Sequence, residues 1–166
     1  MRGMLGIEYF SLWSDWLSPA RYTNIFKEWL SLSSMDKRDL EIMAPAGNFE
    51  CLHAAIQGGA DSVYFGVGNL NMRSHSANNF TPDDLPEIVR ICRENSVKTY
   101  LTLNIVLYQE DLPAMREALD AALRAGVDAV IASDMAAITY SRSIGLEVHA
   151  STQLNVSNAE ALRFYA

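Results

Sequence analysis

The sequence predicts an α/β fold of the (βα)-barrel, or TIM-barrel, type: a parallel β/α repeat of about five units, and therefore an incomplete barrel. From Leu40 onward, short β-branched or aromatic runs alternate with amphipathic segments, the pattern of βα units around a parallel sheet. Two segments, GGADSVYFG (58–66) and AGVDAVIAS (125–133), also resemble each other where a strand begins, which indicates a repeated unit. With 166 residues, 49% of them hydrophobic, the chain is long enough for one globular domain with a sizeable core.

Each predicted strand is a short apolar run followed by a segment with helical spacing. Eight such units close a typical barrel of ~250 residues, so five units leave two strand edges open. We therefore expect the reading frame to continue into the missing carboxyl-terminal half of the barrel. The five predicted strands are LEIMA (40–44), SVYFG (62–66), VKTYLTLNIV (97–106), VDAVIA (127–132) and LEVHA (146–150).

Two of the predicted helices carry clear signals at their ends. The helix after the second strand has Thr81 as a potential cap, Pro82 in its first turn and Asp84 three residues after the cap. The helix after the third strand is followed by Gly126, which is placed to stop it. Its predicted apolar face holds Leu112, Met115, Leu119, Ala122 and Leu123.

Asp61 and Asp128 occupy matching positions in the two repeated segments, just before their strands. In a βα barrel the amino ends of the strands form the bottom face, where residues usually serve stability. We therefore interpret both carboxylates as turn and capping groups.

Residues 1–34 do not follow the βα pattern, and we assign them to an amino-terminal extension before a barrel segment at 35–166. The extension contains all three tryptophans. Two interpretations stay open: a helix packed under the barrel, or an extension from an early start codon with Met35 as the natural start. One amphipathic helix is predicted from the spacing of Tyr22, Ile25, Phe26, Trp29 and Leu30.

Composition argues against several classes of function. A net charge of -7 is unfavourable for a surface that broadly coats nucleic acid. Cys51 and Cys92 form no CxxC pair, so no metal site is predicted, and Cys92 continues the apolar face of a helix and is expected in the core. No apolar run is long enough for a membrane span and no signal peptide is recognisable, so we expect a cytoplasmic protein without membrane contact.

The stretch HASTQLNVSN (149–158) places polar residues where the other strands end in apolar ones. As long as the strand stays extended, His149, Ser151 and Gln153 share one face, as expected at the mouth of a barrel. Asn104 ends the third strand in a similar way. These four residues are our candidate catalytic residues; no third residue orients a Ser-His pair, and capping of the next helix is the simpler role for such side chains.

A long connection after the second strand, GVGNLNMRSHSANNF (66–80), is a second candidate for function. Arg73 and His75 in this loop are candidates for binding a phosphate or carboxylate group of a substrate, and Asn155 is added as a further substrate-binding candidate.

Five ordered blocks of the sequence resemble the amino-terminal half of the collagenase-like peptidase family, U-32, over about residues 39–166. The blocks are EIMAPAGNFECLHAAIQGGADSVYFG, NMRSHSANNFTPDDL, KTYLTLNIV, GVDAVIASD and EVHASTQLNVSNAEALRFY.

The resemblance implies a βα-barrel-like domain and divided functions. Some members are described as proteases, others support hydroxylation of a tRNA wobble uridine or a ribosomal RNA cytidine, and others act in quinone hydroxylation. Members of the hydroxylation groups are associated with an iron-sulfur cluster held by cysteines beyond the block that matches HASTQLNVSN. We therefore expect no cofactor in this chain, an iron-sulfur cluster in the intact protein, and no activity from this chain alone.

Three functional hypotheses follow. The first is the amino-terminal part of a protein that acts in tRNA or rRNA base hydroxylation, and the second is a genuine peptidase, so the expected substrate is RNA or a peptide. The third is a complete flavodoxin-like ligand-binding domain. Strand order discriminates between the folds, because a barrel segment has the order 1-2-3-4-5 and a doubly wound sheet has 2-1-3-4-5.

Overall fold

Five strands form one sheet in the computed structural model, which describes residues 40–68, 70 and 80–165. The strands follow one another across the sheet in sequence order. The predicted extension at 1–34 lies outside the described residues. The strands are β1 (Met43–Pro45), β2 (Ser62–Phe65), β3 (Lys98–Leu103), β4 (Ala129–Ala132) and β5 (Glu147–Ala150).

The strand order decides between the two predicted folds. The order β1-β2-β3-β4-β5, with parallel pairing from β2 through β5, confirms the barrel-type repeat. The flavodoxin-like alternative is wrong, because its sheet has the first strand between the second and the third. All five predicted strands are present, although β1 begins at Met43 instead of Leu40.

Helices connect the strands as the βα pattern requires. The two that follow β2 and β3 each begin with a single 3-10 turn, at Pro82–Asp84 and Gln109–Asp111, and a third 3-10 turn, Thr152–Leu154, follows β5. The helices are α1 (Phe49–Gln57), α2 (Leu85–Glu94), α3 (Leu112–Ala125), α4 (Met135–Ser143) and α5 (Ala159–Tyr165).

The core lies between one face of the sheet and these helices. Alternate strand residues, including Val63, Leu101 and Val130, are almost fully buried on this face. The helices contribute the other half of the core, with α2 and α3 presenting a buried stripe at helical spacing. The buried helix residues include Leu52, Leu85, Ile88, Val89, Cys92, Met115, Leu119 and Ala122.

The predicted helix ends are confirmed. The backbone and hydroxyl groups of Thr81 both donate to the Asp84 carboxylate, at 2.7 and 2.8 Å, ahead of α2. Gly126 ends α3 in a left-handed conformation with φ of 81°, and a Cβ there would collide with the guanidinium group of Arg93. Leu123 is the exception on the predicted apolar face of α3, because its side chain is exposed.

Asp128 has the structural role predicted for it. Its Oδ2 accepts hydrogen bonds from the backbone N–H and the hydroxyl of Thr99, at 2.7 and 2.8 Å. These bonds join the amino end of β3 to the start of β4. The carboxylate therefore fixes the relative position of two strands at the bottom of the sheet.

Cys92 lies in the core, as predicted, and is fully buried, whereas Cys51 on α1 is exposed. Burial, together with the nearby Asp128 carboxylate, raises the pKa of the Cys92 thiol to about 11. The thiol is therefore protonated and inert near neutral pH, which is the behaviour of a small apolar side chain.

We expect a disulfide reagent at pH 8 to modify Cys51 in the native chain and to reach Cys92 only after unfolding, because the attacking species is an exposed thiolate. Thiol counting before and after addition of guanidinium chloride measures this. A Cys51→Ser variant gives the control, with no rapid reaction in the native state. Rapid modification of both thiols in the native chain would contradict the burial of Cys92.

Residues 44–166 form one compact unit, and the candidate site described below lies within it. Among the helices that the structure describes, none is long and apolar enough to cross a membrane.

Candidate functional site

The second face of the sheet, turned away from the core helices, carries the candidate site. The strand registers place Thr102 of β3 beside Ile131 of β4, and Ile131 beside His149 of β5. A second row on the same face lies two residues closer to the amino end of each strand and consists of Tyr100, Ala129 and Glu147. In a closed barrel this face lines the interior, and its carboxyl end opens into the mouth.

The His149 ring is held by two contacts on this face. Its Nε2 lies 3.1 Å from Oε1 of Glu147, two residues earlier on the same strand. Its ring meets that of Tyr100 edge to face, with 4.8 Å between centroids. The two strands that carry these rings are separated by β4, where the small side chain of Ala129 leaves room for the contact.

Two candidate residues have buried polar atoms with no hydrogen-bond partner among the described residues. These atoms are Nδ1 of His149 and Oδ1 of Asn104. Most buried polar atoms in proteins are hydrogen-bonded, so each exception requires a physical explanation, such as a bound water or a ligand. Asn104 directly follows β3, at the carboxyl edge where ligands of parallel βα folds bind.

Ser151 and Gln153 do not continue the strand face of His149. The strand ends at Ala150, and Ser151 begins the 3-10 turn Thr152–Leu154. Ser151 is buried, and its hydroxyl accepts a hydrogen bond from the backbone N–H of Gln153 at 3.4 Å. The expectation of a shared face for His149, Ser151 and Gln153 therefore fails from Ser151 onward, because Ser151 caps a 3-10 turn there and the strand does not continue.

The remaining candidates lie in different settings. Asn155 adopts a left-handed conformation with φ of 52°, and its amide donates to the carbonyl of Gln153, so it closes the turn. The next helix, α5, is capped by Asn158, which is not one of the candidates and accepts from the backbone N–H of Ala161 at 2.9 Å. Arg73 and His75 lie outside the described residues.

Sequence reasoning missed Glu147 and Tyr100. The two-residue period of the strand already places Glu147 on the face of His149, and that signal was available. The contact with Tyr100 was not, because it depends on the register across three strands. Among residues 40–68, 70 and 80–165, no group of three or more His, Cys, Asp or Glu side chains is arranged to hold a metal ion.

The model of peptidase family U32 matches residues 47–166 of this sequence. The chain belongs to this family. The chain is similar to a protein named collagenase from Porphyromonas gingivalis, with 61% identity over 80% of this chain and 32% of the relative. It is also similar to tRNA hydroxylation protein P1 of Bacillus subtilis, with 36% identity over 75% of this chain and 30% of the relative.

The family assignment agrees with the fold. A solved structure of a U32 peptidase superposes with a TM-score of 0.60 at 14% identity, covering 75% of this chain and 53% of that chain, and this likeness concerns the fold alone. The chain spans about a third of the length of the curated U32 relatives described above.

Proposed function

We propose that the U32 protein to which this chain belongs acts in the hydroxylation of RNA bases, and that the carboxyl end of β5 forms part of its substrate site. The relative from Bacillus subtilis, named as a tRNA hydroxylation protein, supports this proposal. The observation that carries it is the His149 ring, which is fixed by Glu147 and Tyr100 and keeps a buried nitrogen without a partner among the described residues. Such an atom is suited to recognise a hydrogen-bonding group of a substrate.

The role proposed for His149 is recognition of a base rather than of the phosphate backbone. The chain has a net charge of -7, which repels phosphates overall. Contacts with the RNA backbone would come from Arg73 or from parts of the intact protein outside this chain.

An iron-sulfur cluster, proposed for the intact protein, does not fit the cysteines of this chain. Such clusters bind through several thiolates, and the chain contains two cysteines. Cys92 is buried in the core and its thiol is protonated, while Cys51 is exposed on α1. Cluster ligands would therefore lie outside this chain.

We place the protein in the cytoplasm, where RNA substrates of this kind are modified.

Peptidase activity is the second candidate, and the 61% identity to the protein named collagenase favours it. The structure offers one observation against a serine nucleophile at this site. The hydroxyl of Ser151 is buried and already accepts the backbone N–H of Gln153, so it is engaged in a local turn.

Deletion of the gene separates the two functions. We expect its loss to abolish one hydroxylated nucleoside in digested tRNA or rRNA, measured by liquid chromatography and mass spectrometry, and expect the intact gene to restore it. The same strains are assayed for cleavage of gelatin and of labelled peptides. Unchanged nucleosides combined with lost peptide cleavage would overturn the RNA proposal in favour of the peptidase.

A further inference from the structure

The contact between Glu147 and His149 determines where the imidazole proton lies. Nε2 of His149 is 3.1 Å from Oε1 of Glu147. An ionised carboxylate only accepts hydrogen bonds, so Nε2 is the donor in this pair. A neutral imidazole carries one ring proton, and Nδ1 is therefore left as a bare acceptor.

The ring has little freedom to reverse these roles. It packs against Tyr100 at 4.8 Å with an angle of 68° between the ring planes. The His149 side chain is 18% exposed to solvent, whereas the Glu147 side chain is 71% exposed. The carboxylate thus stays in contact with water while it holds a ring that is largely removed from water.

We propose that Glu147 is a positioning residue: it fixes His149 as the Nε2–H tautomer and so makes Nδ1 the atom that accepts a hydrogen bond from the substrate. This inference rests on the proposed substrate site at the end of β5. The ligand group at Nδ1 is an O–H or N–H donor, such as a hydroxyl or a base imino group, and a carbonyl or phosphate oxygen would be repelled there. Because Nδ1 is buried, the bond forms out of water, where it is stronger.

The tautomer can be measured directly on this chain by the ring nitrogen chemical shifts of its histidines. The chain has three, His53, His75 and His149, and the signals lost in His149→Ala identify the third. At a pH where the ring is neutral, we expect the proton of His149 almost entirely on Nε2, and a smaller Nε2–H fraction in Glu147→Gln, because an amide can either accept or donate. Glu117→Gln, an exposed change on α3, is the matched control and should leave the signals unchanged.

A proton on Nδ1 in the parent chain, or an unchanged tautomer in Glu147→Gln, would overturn the inference.

Two substitutions then test which nitrogen the substrate uses. The shorter side-chain amide introduced by His149→Asn lies near the position of Nδ1, whereas the longer one introduced by His149→Gln reaches toward that of Nε2. In the deletion strain we expect His149→Asn to retain more hydroxylated nucleoside than His149→Gln, and the reverse order would refute the role of Nδ1. If gene deletion leaves the nucleosides unchanged, the proposed function fails, while the ring signals still decide the tautomer.

Discussion

Replacement of Phe65 by Ala is expected to lower the free energy of unfolding by about 3–5 kcal/mol, the cost of emptying a buried aromatic site. Phe65 lies at the end of β2 with 2% of its surface exposed. Its ring packs edge to face on Phe80 at 5.8 Å, and Phe80 packs in the same way on Phe49 at 5.1 Å. The substitution thus removes one ring of an aromatic cluster that joins β2 to Phe80, just before α2, and through Phe80 to Phe49, the first residue of α1.

Denaturant unfolding of the parent chain and the variant measures this loss. Phe164→Ala is the matched control, since Phe164 on α5 is 75% exposed and its removal should change the free energy of unfolding by less than about 0.5 kcal/mol. Equal effects of the two substitutions would contradict the assignment of Phe65 to the buried core.

Elements with strong local signals were predicted from the sequence. The capping arrangement of Thr81 and Asp84 and the stop at Gly126 depend on neighbouring residues, so their signals are contained in a short stretch. The barrel order of the strands was the leading expectation, but strands and helices also alternate in doubly wound sheets, so the alternation alone did not exclude the order 2-1-3-4-5.

The end of β5 could not be predicted in the same way. A run such as Ser151 to Leu154 is too short to distinguish an extended strand from a 3-10 turn by periodicity. The turn is held by the backbone hydrogen bond from the N–H of Leu154 to the carbonyl of Ser151, at 3.0 Å, and by the longer one from the N–H of Gln153 to the hydroxyl of Ser151, at 3.4 Å. The contact of Tyr100 with His149 likewise depends on strand register, which residue spacing within a single strand does not reveal.

Loss of the His149 ring should have the largest effect on function. In His149→Ala the bare Nδ1 and the hydrogen bond to Glu147 both disappear, while the neighbouring core on the opposite face of the sheet is unchanged. A lost hydrogen bond in a site shielded from water costs about 1–3 kcal/mol, and about 1.4 kcal/mol corresponds to a factor of ten. We therefore expect the modification to fall about fivefold or more.

The hydroxylated nucleoside content of RNA from the deletion strain, complemented with His149→Ala in the intact protein, tests this account most directly. His53→Ala is the matched control, because His53 is exposed on α1. We expect about a fifth or less of the parent level of hydroxylated nucleoside with His149→Ala and the full level with His53→Ala, at equal amounts of folded protein. Full modification with His149→Ala would contradict a substrate site at the end of β5.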